Sequence, residues 1–277
     1  MKTNRILTLA VLCLLTGGLY SCTKDKSVAE EAPKQEELSA ATLAQIKAQG
    51  FSTEGARKTE GGYLVEGDIL LTDENLAQKV ESPNLVIAKE EQYRTTNLVT
   101  NLPQVITVSV TNLPQVYKDA AIIMINRYNA LNLALTFQLA TTGTTGRINI
   151  VGFYEGPSGG FITLGSAGFP SGGNPFNQIR MNTHPAAYGT NPNLNYLASV
   201  IQHEVGHCIG FRHTDYMNRA YSCGASGAGN EGTAGVGATH IPGTPTGPDA
   251  NSWMLACSNG GNRTFNANDI IALNYLY

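Results

Sequence analysis

The chain has 277 residues, of which 42% are hydrophobic, and this is enough for a packed core in one large or two small domains. Its formal net charge of −3 shows neither the basic excess of a nucleic-acid-binding protein nor a strongly acidic character. The composition therefore excludes a disordered chain, and we expect no nucleic acid partner.

Residues 1 to 21 have the features of an export signal. Lys2 and Arg5 precede the apolar run ILTLAVLCLL, which is too short to span a bilayer comfortably. The following LYSC resembles a bacterial lipobox, because Leu19 stands three residues before Cys22 and a small residue precedes the cysteine. The resemblance implies cleavage before Cys22 and a lipid on its sulfur, with an ordinary secretory signal or an uncleaved anchor as alternatives. We expect an exported bacterial lipoprotein that the lipid anchors in the outer membrane.

Charge density divides the chain near residue 92. Residues 1 to 92 hold 24 of the 39 charged residues, although they are only a third of the length. Residues 22 to 37 are rich in charge and predict a flexible tether between the lipid and the body. Residues 38 to 92 predict a small α+β appendage, with a helix in LSAATLAQIKAQG and strand material in GGYLVEGDILLT.

Residues 93 to 277 alternate strand and helix patterns and predict a mixed, twisted sheet backed by helices. The strand candidates are VITVSV, LTFQLA, RINIVGFY and FNQIRMN. A long helix is predicted over residues 114 to 131, with Pro114 at a helix-start position. The glycines and prolines of GGFITLGSAGFPSGGNP favour an edge strand with its loops. The expected fold class is α+β.

A second long helix carries the motif HEVGHCIGFRH, which holds three of the five histidines of the chain. Asn193 is a suitable N-cap, and apolar residues recur after it at helical spacing. The members of this stripe, which we expect to be buried, are Leu194, Leu197, Ile201, Val205 and Cys208. His203 and His207 fall on the other side of the helix and are expected to face a cleft.

The motif has the spacing of a zinc site. His203 and His207 are four residues apart, so their imidazoles lie one above the other and can share a metal ion. Gly210 can end the helix in the left-handed conformation, which brings His213 back as a third ligand. Three protein ligands leave one position open for water, and Glu204 can reach that water as a general base. The alternatives are a solvated helical face and a zinc site without catalysis.

Three cysteines remain for disulfide formation if Cys13 is lost with the signal and Cys22 carries lipid. We favour a bond between Cys223 and Cys257, because both lie in the loop-rich stretch after the histidines of an exported chain. Cys208, on the motif helix, could replace either one.

The motif resembles HExxHxxGxxH of the metzincin metalloendopeptidases. The matching residues are His203, Glu204, His207, Gly210 and His213. The resemblance implies a methionine turn beneath the zinc, and Met254 in PDANSWMLAC stands where that turn is expected. It also implies a loop-rich lower subdomain that closes with a final helix in FNANDIIALNYLY, capped by Asn266.

The stretch GSAGFP is similar to the substrate-binding edge strand of the metzincins. The residues to which the resemblance assigns substrate binding are Gly165, Ser166, Ala167, Gly168 and Phe169. Extended peptides would lie along this strand.

Within that clan the chain most resembles the dual-action HEIGH metallopeptidases, secreted lipoprotein-like bacterial proteins with a similar N-terminal appendage. Val205 replaces the isoleucine of the family motif, which is a minor change on a buried face. A larger departure is Ala256, which stands where some metzincins have a tyrosine that assists the zinc site. Either Tyr216 or Tyr221 takes that role, or zinc stabilises the oxyanion alone.

Motif and resemblance together predict a zinc-dependent endopeptidase. One Zn²⁺ would polarise the scissile carbonyl, while Glu204 deprotonates the metal-bound water and passes the proton to the leaving amine. The alternative is a surface lipoprotein that binds a protein partner through the same zinc-containing cleft without cutting it. Whether calcium also binds is not readable from the sequence.

The appendage is expected to be either an inhibitory pro-segment or a permanent accessory domain. A cysteine switch is excluded if Cys22 carries lipid, since no other cysteine precedes the catalytic part of the mature chain. An acidic residue such as Asp68 is a candidate zinc ligand in its place. Asp215 is expected either to orient a ligand or to cap local backbone, and His184 and His240 to be loop or hydrogen-bonding histidines.

Overall fold

The computed structural model describes residues 37–77, 92–224, 231, 238–245 and 247–277. The predicted signal segment, Cys22 and the tether up to residue 36 lie outside the described residues. No helix in the described part of the chain is long and apolar enough to cross a membrane.

Eight strands form one mixed sheet, and two short strands form a separate ladder. The strands are β1 (Arg57–Thr59), β2 (Gly62–Val65), β3 (Ile69–Leu71), β4 (Tyr93–Arg94), β5 (Gln104–Val110), β6 (Leu135–Leu139), β7 (Ile148–Phe153), β8 (Gly165–Ala167), β9 (Gln178–Asn182) and β10 (Thr239–His240). The large sheet has the order β1-β2-β3-β8-β9-β7-β5-β6, and β10 pairs with β4. Strands β6, β5, β7 and β9 are parallel neighbours, whereas β8 is antiparallel to β9.

Seven helices lie in the described residues. They are α1 (Ala40–Ala48), α2 (Asp73–Ala77), α3 (Gln115–Asn129), α4 (Pro185–Tyr188), α5 (Leu194–Cys208), α6 (Ala220–Cys223) and α7 (Ala267–Leu276). The two long helices, α3 and α5, pack against each other and against the sheet. The main core fills the space between them and the sheet, because the inward residues of both layers are apolar.

The caps explain where two helices begin. The Asn193 side chain accepts hydrogen bonds from the backbone N–H groups of Asn195 and Tyr196, which satisfies two donors that the first turn of α5 leaves unpaired. Asn266 and Asp269 form a capping box at the start of α7. Both caps use the side chains that the sequence predicted for them.

The α+β prediction is confirmed, and the predicted strands and long helices form within a few residues of their expected bounds. The GSAGFP strand differs in its surroundings, because β3 pairs with β8 in parallel and covers the side that would otherwise be the edge. The backbone N–H of Ala167 donates to the carbonyl of Asp68 at 3.0 Å. Residues 57–71 of the predicted appendage thus continue the sheet of residues 93–277.

Candidate metal centre and active site

Helix α5 places two histidines one turn apart. The Nε2 atoms of His203 and His207 lie 3.1 Å from each other, and both side chains are buried. The stripe opposite them is buried from Leu197 to Cys208, but the prediction was wrong for Leu194, which is 37% exposed in the first turn of the helix. The helix therefore has apolar contacts on one side and a histidine pair on the other.

Gly210 turns the chain after α5. Its φ of +109° is in the left-handed region, and an added Cβ would lie 2.7 Å from Leu98 Cδ2 and 2.9 Å from the carbonyl oxygen of Asn97. A side chain would be strained there, so glycine permits the sharp turn. The turn brings His213 Nε2 to 3.2 Å from His207 Nε2.

The outer ring nitrogens of the three histidines all face oxygen acceptors. His203 Nδ1 is 2.9 Å from the carbonyl of Trp253, His207 Nδ1 is 2.8 Å from the carbonyl of Phe211, and His213 Nδ1 contacts Glu231. These acceptors favour the tautomer that carries its proton on Nδ1. The three Nε2 atoms converge, and each offers a lone pair to a metal once it carries no proton.

The donor set fits zinc. Nitrogen ligands at about 2.0–2.1 Å in a tetrahedron are separated by roughly 3.3 Å, which is close to the two Nε2 separations. The fourth corner is approached by Asp68, whose Oδ2 is 3.1 Å from His213 Nε2 and 3.4 Å from His203 Nε2. One atom from each of these four residues lies within 4.8 Å of all the others.

Asp68 comes from the turn between β2 and β3. Although burial opposes ionisation, the neighbouring His213 and a hydrogen bond to His203 hold the pKa of Asp68 well below its usual range. Its Oδ1 is buried without a hydrogen-bond partner in the described structure. A buried carboxylate with an unused oxygen beside three imidazoles is typical of a metal ligand.

Glu204 follows the first histidine and is also buried. Its Oε2 has no hydrogen-bond partner among the described residues, and Oε1 lies against Gly165, where an added Cβ would be 2.6 Å away. Burial raises the pKa of Glu204 well above its usual range, and the charge of Asp68 raises it further, while His213 opposes both. The carboxylate is thus held beside the histidines without being tied to another group.

Met254 lies directly beneath α5. An added Cβ on Gly206 would be 2.5 Å from Met254 Sδ, so the helix and this turn are in close contact. Asp269 stabilises this turn, because its carboxylate accepts hydrogen bonds from the Trp253 N–H and the Ser252 hydroxyl. The residue before Met254 thereby presents its carbonyl to His203.

The predicted substrate strand, β8, borders the histidines, but β3 from the N-terminal part of the chain is paired with it. Gly165, Ser166 and Ala167 form β8 and are buried. Phe169 contacts the His207 ring edge-on with centroids 5.6 Å apart, and its other neighbour is Phe51 at 5.9 Å. Beyond β8, Gly168 packs so closely on Phe176 that an added Cβ would be 2.7 Å from its ring.

A cleft of about 660 Å³ opens beside His203 and Glu204. It is lined by α5 from Tyr196 to Glu204, by residues 54–68 and 155–165, and by the chain from Trp253 to Arg263. A disulfide joins Cys223 to Cys257 in the lining of this cleft, while Cys208 is free and buried in the core.

The remaining polar candidates have contacts with groups other than the three motif histidines. Asp215 accepts from the Ala256 N–H at 2.9 Å, so its role is to cap local backbone. Tyr216 packs edge-on against Tyr93, and the Tyr221 hydroxyl donates to the carbonyl of Pro248. His184 caps α4, and His240 pairs with the Thr244 hydroxyl.

A buried network of charged residues contacts His213 through Glu231, and the sequence did not predict it. Arg212 is fully buried, and its Nη2 lies 2.6 Å from Glu66 Oε2 and 3.1 Å from Glu231 Oε2. Burial raises the pKa of Glu66 to about 8, with Arg212 opposing the shift. One signal was available: Glu231 is the only acidic residue between Asp215 and Asp249.

The chain is similar to a known protein family. A family model described as dual-action HEIGH metallo-peptidase matches residues 63–277. No curated protein matches the chain.

Among solved structures, two structures of myroilysin are similar to the chain at 14% identity. One covers 64% of this chain and 81% of its own with a TM-score of 0.41, and the other covers 87% and 99% with a TM-score of 0.39. High choriolytic enzyme 1, a hatching enzyme zinc-protease from the medaka fish Oryzias latipes, is 13% identical, covers 62% of this chain and 88% of its own, and has a TM-score of 0.38.

Proposed function

The chain belongs to the dual-action HEIGH metallopeptidase family and is a zinc metallopeptidase, and on that premise we propose that it is an endopeptidase that uses Glu204 as its general base. The zinc ligands would be His203, His207 and His213. One observation carries this assignment: the buried carboxylate of Glu204 has an unused oxygen beside three converging Nε2 atoms. A glutamate that served only the fold would be expected to find a hydrogen-bond partner at such burial.

Bound zinc would supply a Lewis acid for the scissile carbonyl and lower the pKa of a water ligand. Glu204 removes a proton from the attacking water and donates it to the leaving amine. The carbonyls of Trp253 and Phe211, with the carboxylate of Glu231, keep the imidazoles in the orientation that ligation needs. Met254 supports the helix from below.

Extended polypeptides are the proposed substrates. A strand at the edge of a sheet offers unpaired N–H and C=O groups at a regular spacing, to which a peptide can add as a further strand. Strand β8 has this form once β3 is removed from it, and Gly165 brings it into contact with Glu204. A substrate on β8 would therefore pass the general base.

Cleavage of an unfolded protein is the direct test. We expect proteolysis by the purified chain to stop with a chelator and to return with zinc, and mass spectrometry to find cuts inside the substrate. Zinc bound at one ion per chain without cleavage of any polypeptide would instead favour the surface lipoprotein that binds a partner through the cleft.

We further propose that residues 57–77 hold the chain in a latent state. The carboxylate of Asp68 lies at the fourth coordination position, which a catalytic water needs. Strand β3 pairs with the edge of β8 to which a substrate would bind. Glu66 and Gly67 both have positive φ, +52° and +92°, and this tight turn directs the two acidic side chains inward. Glu66 is fastened to the buried Arg212, which resists release of the segment.

Asp68→Asn tests latency. The substitution weakens an anionic ligand, so we expect the full chain to cleave several-fold faster than wild type at equal zinc content. Glu60→Gln is the matched control, because Glu60 is on the same segment but its exposed carboxylate pairs with Arg180 and contacts no histidine, so the rate should be unchanged. Equal rates for wild type and Asp68→Asn would exclude inhibition by this carboxylate and favour an accessory role for the appendage.

Export and lipidation also remain proposals, supported by the signal-like residues 1 to 21 and by LYSC. Cys22→Ala should move the protein from the membrane fraction to the soluble fraction. Unchanged fractionation would contradict lipidation at Cys22.

A further inference from the structure

The cleft contains a chamber that begins at the general base. Glu204, Val200 and Tyr196 are spaced by four residues and line the cleft along one face of α5. Leu255 and Cys257 also line the cleft, and the disulfide to Cys223 constrains this part of the chain. The chamber therefore extends along α5 from Glu204 towards the helix N-terminus.

Its position relative to Glu204 determines which substrate residue it receives. The general base returns the proton to the leaving amine, so the residue that carries this amine must lie next to Glu204. That residue is the first one after the scissile bond. Val200 lies only about 6 Å from Glu204 along the axis of α5, so the side chain of that substrate residue would lie beside the chamber.

Three arginines line the cleft, and they differ in their partners. Arg57 Nη2 lies 2.9 Å from Glu155, and Arg219 Nε lies 3.5 Å from Glu231. Arg263 has no carboxylate within 4.0 Å in the described structure, which sets it apart from the other two. Two of the three positive charges are therefore already matched by the chain itself.

Arg263 is held in place by hydrogen bonds to uncharged groups, while the carboxylates of Asp215, Asp269 and Asp249 act on its charge only from beyond ion-pair distance. Its backbone N–H donates to the Ser199 hydroxyl on α5 at 2.8 Å, and Nη1 donates to the carbonyl of Cys257 at 3.4 Å. The side chain is half-buried, so its charge is screened less than that of a surface arginine. A guanidinium has five N–H donors in a fixed plane, and most of those on Arg263 stay available.

We propose that Arg263 is a specificity-determining residue that selects substrates with aspartate or glutamate directly after the scissile bond. The inference rests on the proposed endopeptidase function and deepens it. A carboxylate in the chamber would form charge-assisted hydrogen bonds with Arg263, and a lysine there would meet a like charge. Val200 and Leu255 contribute apolar walls that accommodate the methylene groups of a glutamate.

Matched peptides test the selection. The peptides share one sequence, carry amidated C-termini and differ only in having Glu, Gln, Leu or Lys after the cut. They are assayed with the full chain as purified and with the full chain carrying Asp68→Asn. We expect kcat/KM for Glu to exceed that for Gln on the order of 10- to 100-fold. Arg263→Gln should abolish this ratio, and Arg263→Glu should favour Lys.

Arg127→Gln is the control for loss of a nearby arginine. Arg127 hydrogen-bonds to Ser199, Gln202 and Asn262 but does not line the cleft, so the variant should keep the Glu preference. Unfolding temperatures of both variants report any damage to the fold.

The outcomes separate the two proposals. Efficient cleavage with equal rates for Glu and Gln, or with a preference for Leu, would overturn the role of Arg263 and leave the endopeptidase intact. A further peptide, which ends in a free carboxylate one residue after the cut, is assayed beside the amidated ones. Cleavage of this peptide alone would show that Arg263 binds a chain terminus, which also overturns the proposal. No cleavage of any peptide by either form would overturn both.

Discussion

The two halves of the candidate site differ in how far along the chain their residues come from. His203, Glu204, His207 and His213 lie within eleven consecutive residues. Asp68 and Glu231 contact the same histidines from 145 and 18 residues away, and the Trp253 carbonyl does so from 50. The local half supplies the metal ligands and the base, whereas the remote half orients, supports and covers them.

This difference predicts different consequences of substitution. The local ligands depend on the geometry of one helix and one glycine turn, which short-range interactions maintain. The remote groups depend on the packing of the N-terminal segment and of the loop-rich stretch after α5. Changes in the local half should therefore affect chemistry, and changes in the remote half should affect stability, metal affinity and access.

Glu204→Gln should have the largest effect and tests whether the local half is catalytic. The amide cannot act as a base, so turnover should fall about 100- to 10,000-fold. Zinc content should stay near one ion per chain, because Glu204 is not a ligand. His213→Ala is the contrasting change, which should lower zinc content and activity together. Wild-type turnover by a zinc-loaded Glu204→Gln protein would contradict the mechanism.

Replacing both Cys223 and Cys257 by serine removes the disulfide that closes the loop between them. Their sequence separation is 34 residues, and closing such a loop stabilises a fold by about 3 to 4 kcal/mol in the chain-entropy model. The free energy of unfolding, measured by denaturant titration, should fall by about that amount. A reducing agent should destabilise wild type but not the double variant. Equal sensitivity of the two proteins to reductant would contradict the pairing.

Glu231→Gln tests the remote support of a metal ligand. The neutral amide holds His213 less firmly than the carboxylate, and changes of this kind weaken metal affinity about 10- to 100-fold. Competition with a fluorescent chelator measures the affinity, and kcat at saturating zinc should change far less. Glu155→Gln removes a carboxylate that pairs with Arg57 at the cleft rim and is the matched control. An unchanged zinc affinity in Glu231→Gln would show that Glu231 has no positioning role.

The smallest predicted effect is the pH dependence of stability that comes from Asp269, which is hydrogen-bonded to the turn that holds Met254. Burial raises the pKa of Asp269 to about 7, although four hydrogen bonds oppose the shift. Because the folded-state pKa exceeds the unfolded value, this contribution to stability is present at low pH and is lost as pH rises through 7. We expect the free energy of unfolding to fall by about 1 kcal/mol from pH 6 to pH 8 on this account.

Asp269→Asn isolates that contribution, since Glu66 shifts in the same direction. The variant loses acceptors for the Trp253 and Asn266 N–H groups, so its stability should be lower throughout. Its dependence on pH between 6 and 8 should nevertheless be flatter than that of wild type. An identical slope in both proteins would assign the titration to another group.

The amino-acid sequence by itself determined the features that rest on short-range geometry. Spacing of four residues places His203 and His207 together on any helix, and a glycine at Gly210 allows the turn that His213 needs. Apolar periodicity likewise determined α3 and α5, and alternation determined the main strands. The same regularity made the family motif recognisable before any tertiary contact was known.

Only the tertiary structure decided which distant groups meet the histidines. The positions of Glu231, Glu66 and Arg212 depend on how loops and a segment without strong periodicity pack, and no spacing rule relates them to residue 203. The sequence named Asp68 only as an example of an acidic ligand from the N-terminal part, and it was the pairing of β3 with β8 that placed its carboxylate beside His213. Among the described residues no carboxylate lies within 4.0 Å of the Arg263 guanidinium, and this too depends on which acidic residues the folded chain brings near it. Such long-range contacts are set by the burial of the whole core, so they follow from the complete fold and not from any local pattern.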